Sequence, residues 1–160
     1  MTVEQSFVAT VIHAWKLSIE RADKFFLPLT DEQVLKELAP GKNRLIYLFG
    51  HLVAVHDAML PLLGIGPRRH PELDAAFLTV ADRAVADLPS VEELRRYWGG
   101  VNGALIEAFE RFSAADWIAK HTVVSEEDFA KNPLRNRLSV VLSRTAHVGY
   151  HLGQAALAPK

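Results

Sequence analysis

The stretch Arg144-Thr-Ala-His-Val-Gly-Tyr-His-Leu-Gly-Gln154 places His147 and His151 four residues apart in a segment with helical periodicity. Residues at this spacing are rotated by only about 40° and rise about 6 Å, so two imidazoles share one face and can converge on one ion. Two nitrogens do not hold a metal alone. The chain has no cysteine, which removes disulfides, thiolate-ligated zinc and a protein thiol nucleophile together. Any further ligand must be His, Asp or Glu.

The other histidines are His13, His51, His56, His70 and His121. His70 and His121 fall in irregular segments, and His13 reads as a surface or packing residue on the first helix. In the second helix the core stripe runs through Leu45, Leu48, Phe49, Leu52, His56, Met59 and Leu63, with His51 on its flank. Periodicity therefore favours His56 as the buried histidine without excluding it as a ligand. A histidine on such a stripe is more often a satisfied core residue, and a histidine pair four apart also arises by chance.

Four long helices must position these residues. The first runs from Val3 to Leu27 and is halted by Pro28; Thr30-Asp-Glu-Gln33 has the capping-box form and predicts a short helical turn. Asn43 is a candidate N-cap for a second helix over Arg44 to Leu63, which Gly64-Ile-Gly-Pro67 ends. Arg68 to Leu88 reads as a long connection with a short helix around Pro71. Ser90-Val-Glu-Glu93 caps the third helix, which continues to Phe112, and Gly99, Gly100 and Gly103 within it predict close helix contact or a kink. Ser113 to Lys131 reads as irregular, and both connections are expected to shape a pocket. Asn132-Pro133 then opens the fourth helix, Leu134 to Leu157, whose stripe is Leu134, Leu138, Val141, Thr145, Val148 and Leu152, with His147 and His151 on one flank. The reading is an all-α, four-helix-bundle fold in one domain over residues 1–160.

Composition narrows the function classes. The 160 residues are 49% hydrophobic and 23% charged with a formal charge of −1, so no basic surface invites nucleic acid. No segment reads as a membrane span, and the N-terminus lacks the pattern of a secretory signal, giving the expectation of a cytoplasmic protein. The zincin pattern needs Glu after its first His, where Val148 stands; paired Glu-x-x-His motifs and a Gly-x-Ser-x-Gly elbow do not occur.

Two segments resemble the DinB superfamily, four-helix bundles also described as DinB/YfiT-like metalloenzymes. They are Ala39-Pro-Gly-Lys-Asn-Arg-Leu-Ile-Tyr-Leu-Phe-Gly-His-Leu52 and His147-Val-Gly-Tyr-His-Leu-Gly-Gln154. The resemblance implies that His51, His147 and His151 are the metal ligands and decides between His51 and His56. Imidazole ligands suit zinc or nickel, and three of them leave open positions of a catalytic kind. Family likeness further implies a transferase that uses a low-molecular-weight thiol, such as bacillithiol or mycothiol, on a small-molecule substrate, and a homodimer. The alternatives are a metal-dependent hydrolase and a non-catalytic, metal-stabilised helical binding protein. Gln154, Asp57 and Tyr150 are candidates for supporting the ligands, with packing the simpler role for Tyr150.

Overall fold

The first long helix, α1 (Val3–Phe26), is set by Thr2, whose hydroxyl accepts from the Gln5 amide at 3.1 Å while the Gln5 side chain accepts from the Thr2 amide at 2.8 Å. Its buried face is Trp15, Ile19, Ala22 and Phe26, the three- and four-residue spacing of a core stripe. α2 (Asp31–Val34) follows with the predicted Thr30–Gln33 capping box. The computed structural model describes residues 1–158, so the last two residues of the expected domain span lie outside the described ones. No strand occurs among the described residues, as the all-α reading requires.

α3 (Leu45–Leu62) differs from expectation at its start. Arg44, not Asn43, is the N-cap, and no local side chain caps it. Asp82 does so from a distance: its carboxylate accepts from the Arg44 amide at 2.8 Å and pairs with the Arg44 guanidinium at 2.7 Å. A second correction concerns composition. α3 is long and apolar enough to cross a membrane by those criteria alone, yet 67% of that stretch is buried in the protein. A helix apolar all round is what the centre of a core requires.

The long connection after α3 holds a 3-10 turn (Pro71–Leu73) and α4 (Asp74–Phe77). α5 (Val91–Arg111) has its predicted Ser90 capping box. The segment read as irregular contains α6 (Ala114–Ile118) and α7 (Glu126–Lys131). α8 (Arg137–Ala155) begins later than predicted: Asn136 caps it, accepting from the Ser139 amide at 2.9 Å, while Asn132 closes α7 and Leu134 is 73% exposed rather than on the core stripe.

α1 packs on α8 and α5, and α3 packs on the same two helices. Trp15, Phe26, Phe49, Trp98 and Phe109 fill the space between them, each almost fully buried. Phe26 and Phe49 stack at 5.0 Å, and truncating an aromatic of this kind costs about 3–5 kcal/mol. The predicted close-contact glycines of α5 are not that: a Cβ at Gly99 or Gly103 would meet open space, and at Gly100 only the tip of Arg69 at 3.8 Å. The close approach is at Gly50, where a Cβ would run into the Phe77 ring.

Candidate metal centre

His56 and His51 separate cleanly once α3 is seen in place. His56 is fully buried between Trp15 and Trp98, its ring 5.0 and 4.8 Å from theirs. Its Nδ1–H donates to Asn102 Oδ1 at 2.8 Å, and the Asn102 amide donates to the Trp98 carbonyl at 3.0 Å. Burial pushes the His56 pKa down to about 3, so it is a neutral core residue. His51, on the flank of the same helix, turns toward α8.

There the structure brings His51, His147 and His151 together, the one group of its kind among the described residues. His147 Nε2 lies 3.2 Å from His51 Nε2 and 2.9 Å from His151 Nε2. The far side of two rings is fixed. His51 Nδ1–H donates to the Phe77 carbonyl at 2.9 Å, and His151 Nδ1–H donates to Gln154 Oε1 at 2.8 Å. A neutral imidazole that donates from Nδ1 carries its lone pair on Nε2, so both rings aim an acceptor at His147.

That arrangement is poor without a cation between the rings, because a single proton on His147 Nε2 serves only one of its two neighbours. It suits a metal ion well. Nitrogens about 2.1 Å from one ion lie roughly 3.0 Å apart at right angles and about 3.4 Å apart at tetrahedral angles, a range close to the observed edges. Burial first, then His151 and His51, lowers the His147 pKa to about 4; burial also lowers that of His151, against the opposing bond to Gln154. Both are therefore neutral at pH 7, the form that ligates. His147 Nδ1 is buried without a hydrogen-bond partner.

Gln154 is held in turn: its amide donates to the Tyr150 hydroxyl at 3.1 Å, which gives Tyr150 a part in the chain of bonds behind His151 although it is 63% exposed. Asp57 has no such part. It is fully buried, pairs with Arg68 at 2.9 Å and accepts from the Arg69 and His70 amides, so it pins the connection after α3. His70 stacks on Tyr97 at 3.8 Å and His13 is exposed; neither approaches the three histidines.

A cleft of about 500 Å³ opens beside the group, lined by His51, His151, Gln154 and Tyr150 from α3 and α8, by Phe77 and Leu78 from the connection, and by Leu38, Lys42 and Asn43 from the turn before α3. The 68–88 connection thus shapes the cleft as expected. The 113–131 segment does not; the turn at residues 38–43 takes its place. Lys42 is the one lysine, arginine or carboxylate side chain in the lining.

Phe77 is the residue that sequence reasoning missed. Its contribution to His51 is a backbone carbonyl, which has no side-chain signature, and the only available hint was the glycine immediately before His51.

An all-α chain whose long helices bring three histidines to one point, beside a cleft, is a helical protein with a group that could hold a metal ion. The family model of the DinB superfamily matches residues 14–155, and the chain belongs to that superfamily. None of the curated proteins matches it.

Proposed function

We propose that His51, His147 and His151 bind one divalent ion, zinc or nickel, and that the protein is a metal-dependent enzyme whose favoured reaction is group transfer to or from the sulfur of a low-molecular-weight thiol. The observation that carries this reading is the convergence of three imidazole Nε2 atoms beside a cleft that two of the same rings line. Three protein ligands leave part of the ion's shell free, as in catalytic sites and unlike closed structural ones. When bound, the ion would supply a Lewis acid and lower the pKa of a thiol or water beside it.

The chain's own residues do the rest. The Phe77 carbonyl and Gln154 orient two rings, and the apolar Leu38, Leu48 and Leu78 shield the body of a bound molecule from water. Lys42 offers a positive charge to an anionic group on it. Because the chain lacks cysteine, any thiol at the site comes from a substrate.

The test begins with metal content per chain by plasma mass spectrometry on protein purified without a histidine tag. Wild type and a folded His56→Ala variant are expected to carry about one ion, as a single three-ligand site dictates, and His51→Ala and His147→Ala to lose it. All four empty after incubation with zinc or nickel would end the metal reading. Cobalt-loaded protein is then titrated with a small thiol: a saturating sulfur-to-metal absorption supports the transferase, ester hydrolysis without it supports a hydrolase, and neither leaves a metal-stabilised binding protein.

A further inference from the structure

A second cleft, of about 250 Å³, lies along α8 on the side away from Gln154, where the start of the helix meets the end of α3 and the loop between α6 and α7. Its polar lining is His121, Arg135, Asn136, Ser139, Ser143 and Arg144, no carboxylate belongs to it, and the Asn136 side chain is already bonded to the Pro133 carbonyl and the Ser139 amide. Ser139 and Ser143 are one turn apart on α8 and share one flank of the helix, while Arg144, one turn after Val140, lines the cleft from the adjoining face.

Arg144 is the centre of the argument. Guanidinium groups stay charged and carry donors only. Other half-buried arginines of this protein meet carboxylates: Arg44 pairs with Asp82, and Arg68 with Asp57 and Asp74. Arg144 forms no ion pair among the described residues, and its Nε is buried with no hydrogen-bond partner. His121 Nδ1 is buried and unpartnered in the same cleft. Burial, with Arg135 and Lys120 nearby, holds the His121 pKa below its ordinary value, so the ring is a neutral hydrogen-bonding group amid positive charge. Asp128 faces Arg135 from 3.7 Å and balances only that cation.

The helix N-terminus contributes little. The Arg137 amide donates to the Ala119 carbonyl and the Ser139 amide to Asn136, so amides of the first turn are already taken. What the cleft offers is side-chain donors on two elements: a planar fork, two hydroxyls and a ring nitrogen. A carboxylate presents two oxygens in one plane, whereas a phosphate presents oxygens in several directions and can use all of these donors at once.

We propose that this cleft is an anion site for a small tetrahedral dianion, inorganic phosphate or the phosphate end of a small monoester, held by Arg144 with Ser139, Ser143 and His121 as hydrogen-bonding partners. Arg144 lies near enough to His147 for its charge to help lower that ring's pKa, so the test is made with no metal ion at the histidines.

Full-length protein is titrated calorimetrically at pH 7 with inorganic phosphate, glycerol 3-phosphate and acetate, with a chelator present so that no ion at the histidines can hold the anion. Phosphate or glycerol 3-phosphate is expected to bind with a dissociation constant of about 1 mM or tighter, and acetate about tenfold more weakly. The tighter of the two phosphates tells free anion from monoester. Arg144→Gln is expected to weaken binding about tenfold or more, the loss of one bidentate charged contact. Ser143→Ala loses a smaller factor, and Lys16→Gln, on the outer face of α1, binds as wild type does. Should Arg144→Gln fail to fold, Arg144→Lys, which keeps the charge and loses the fork, is measured instead and is expected to lose several-fold. The proposal is overturned if neither phosphate binds at millimolar concentration, if acetate binds equally well, or if the folded Arg144 variant matches wild type.

Discussion

Gln154 makes the supporting role of a single residue testable. Its Oε1 accepts from His151 Nδ1 and thereby keeps the His151 lone pair on Nε2, facing His147. Replacing Gln154 by Leu keeps the bulk and removes the acceptor, which frees the ring to rotate or change tautomer. Loss of such a partner typically weakens metal affinity about 10–100-fold, and that loss is expected for zinc in competition with a chromophoric chelator. Tyr150→Phe removes a bond one step further back and is expected to cost less. Equal zinc affinity in Gln154→Leu and wild type would mean that this bond does not orient the ligand. At this scale the sequence was half legible. The four-residue spacing exposed His147 and His151, and periodicity put His56 on the core stripe of α3 and His51 on its flank, but it did not exclude His56 as a ligand. Depth decides that, and depth depends on Trp15 and Trp98 from two other helices, which close over His56.

Elements are where Gly50 matters. A Cβ there would run into the Phe77 ring, and Phe77 is also the residue whose carbonyl holds His51. Gly50→Ala must therefore push α4 away from α3 and drag the His51 acceptor with it. Overpacking of this kind costs about 1–3 kcal/mol, to be read from urea unfolding, and a parallel loss of zinc affinity is expected. Gly99→Ala is the control. Its Cβ meets open space in the middle of α5, so removing a helical glycine there is expected to stabilise by up to about 1 kcal/mol and leave zinc binding unchanged. If both variants behave alike, the contact between α3 and α4 is not what positions His51. Helix boundaries were legible where the cap is local, as at Ser90 and Thr30. They were misread where it is not: α3 is capped by Asp82, 38 residues away, and the Asn132-Pro133 signal ends α7 instead of starting α8. A local pattern does not report a partner brought in by the fold.

For the whole molecule, the buried histidines set how stability depends on pH. An unfolded histidine titrates near 6.5, while His56 in the fold does so at about 3, because protonation would place a second N–H on Nε2, a buried atom with no partner. The folded-state pKa is depressed, so the unfolded chain binds the proton first. Stability from this residue is thus complete above about pH 6.5 and falls as pH drops toward 3. At pH 4.5 the difference amounts to about 2–3 kcal/mol for His56 alone, a large part of the total stability of a small domain. His147, lowered to about 4, adds to the loss over the same window in metal-free protein, by less because it is only half-buried. Urea unfolding at pH 7, 5.5 and 4.5 with a chelator present measures this directly. Wild type is expected to weaken steadily across the series, and His56→Phe, which keeps an aromatic between Trp15 and Trp98 but cannot titrate, to show a distinctly shallower slope whatever its stability at pH 7. An identical slope would assign the acid sensitivity to other groups. Zinc is expected to deepen the acid loss, since protons compete with the ion for the three histidines and the stabilisation that the bound ion gives at pH 7 disappears with it.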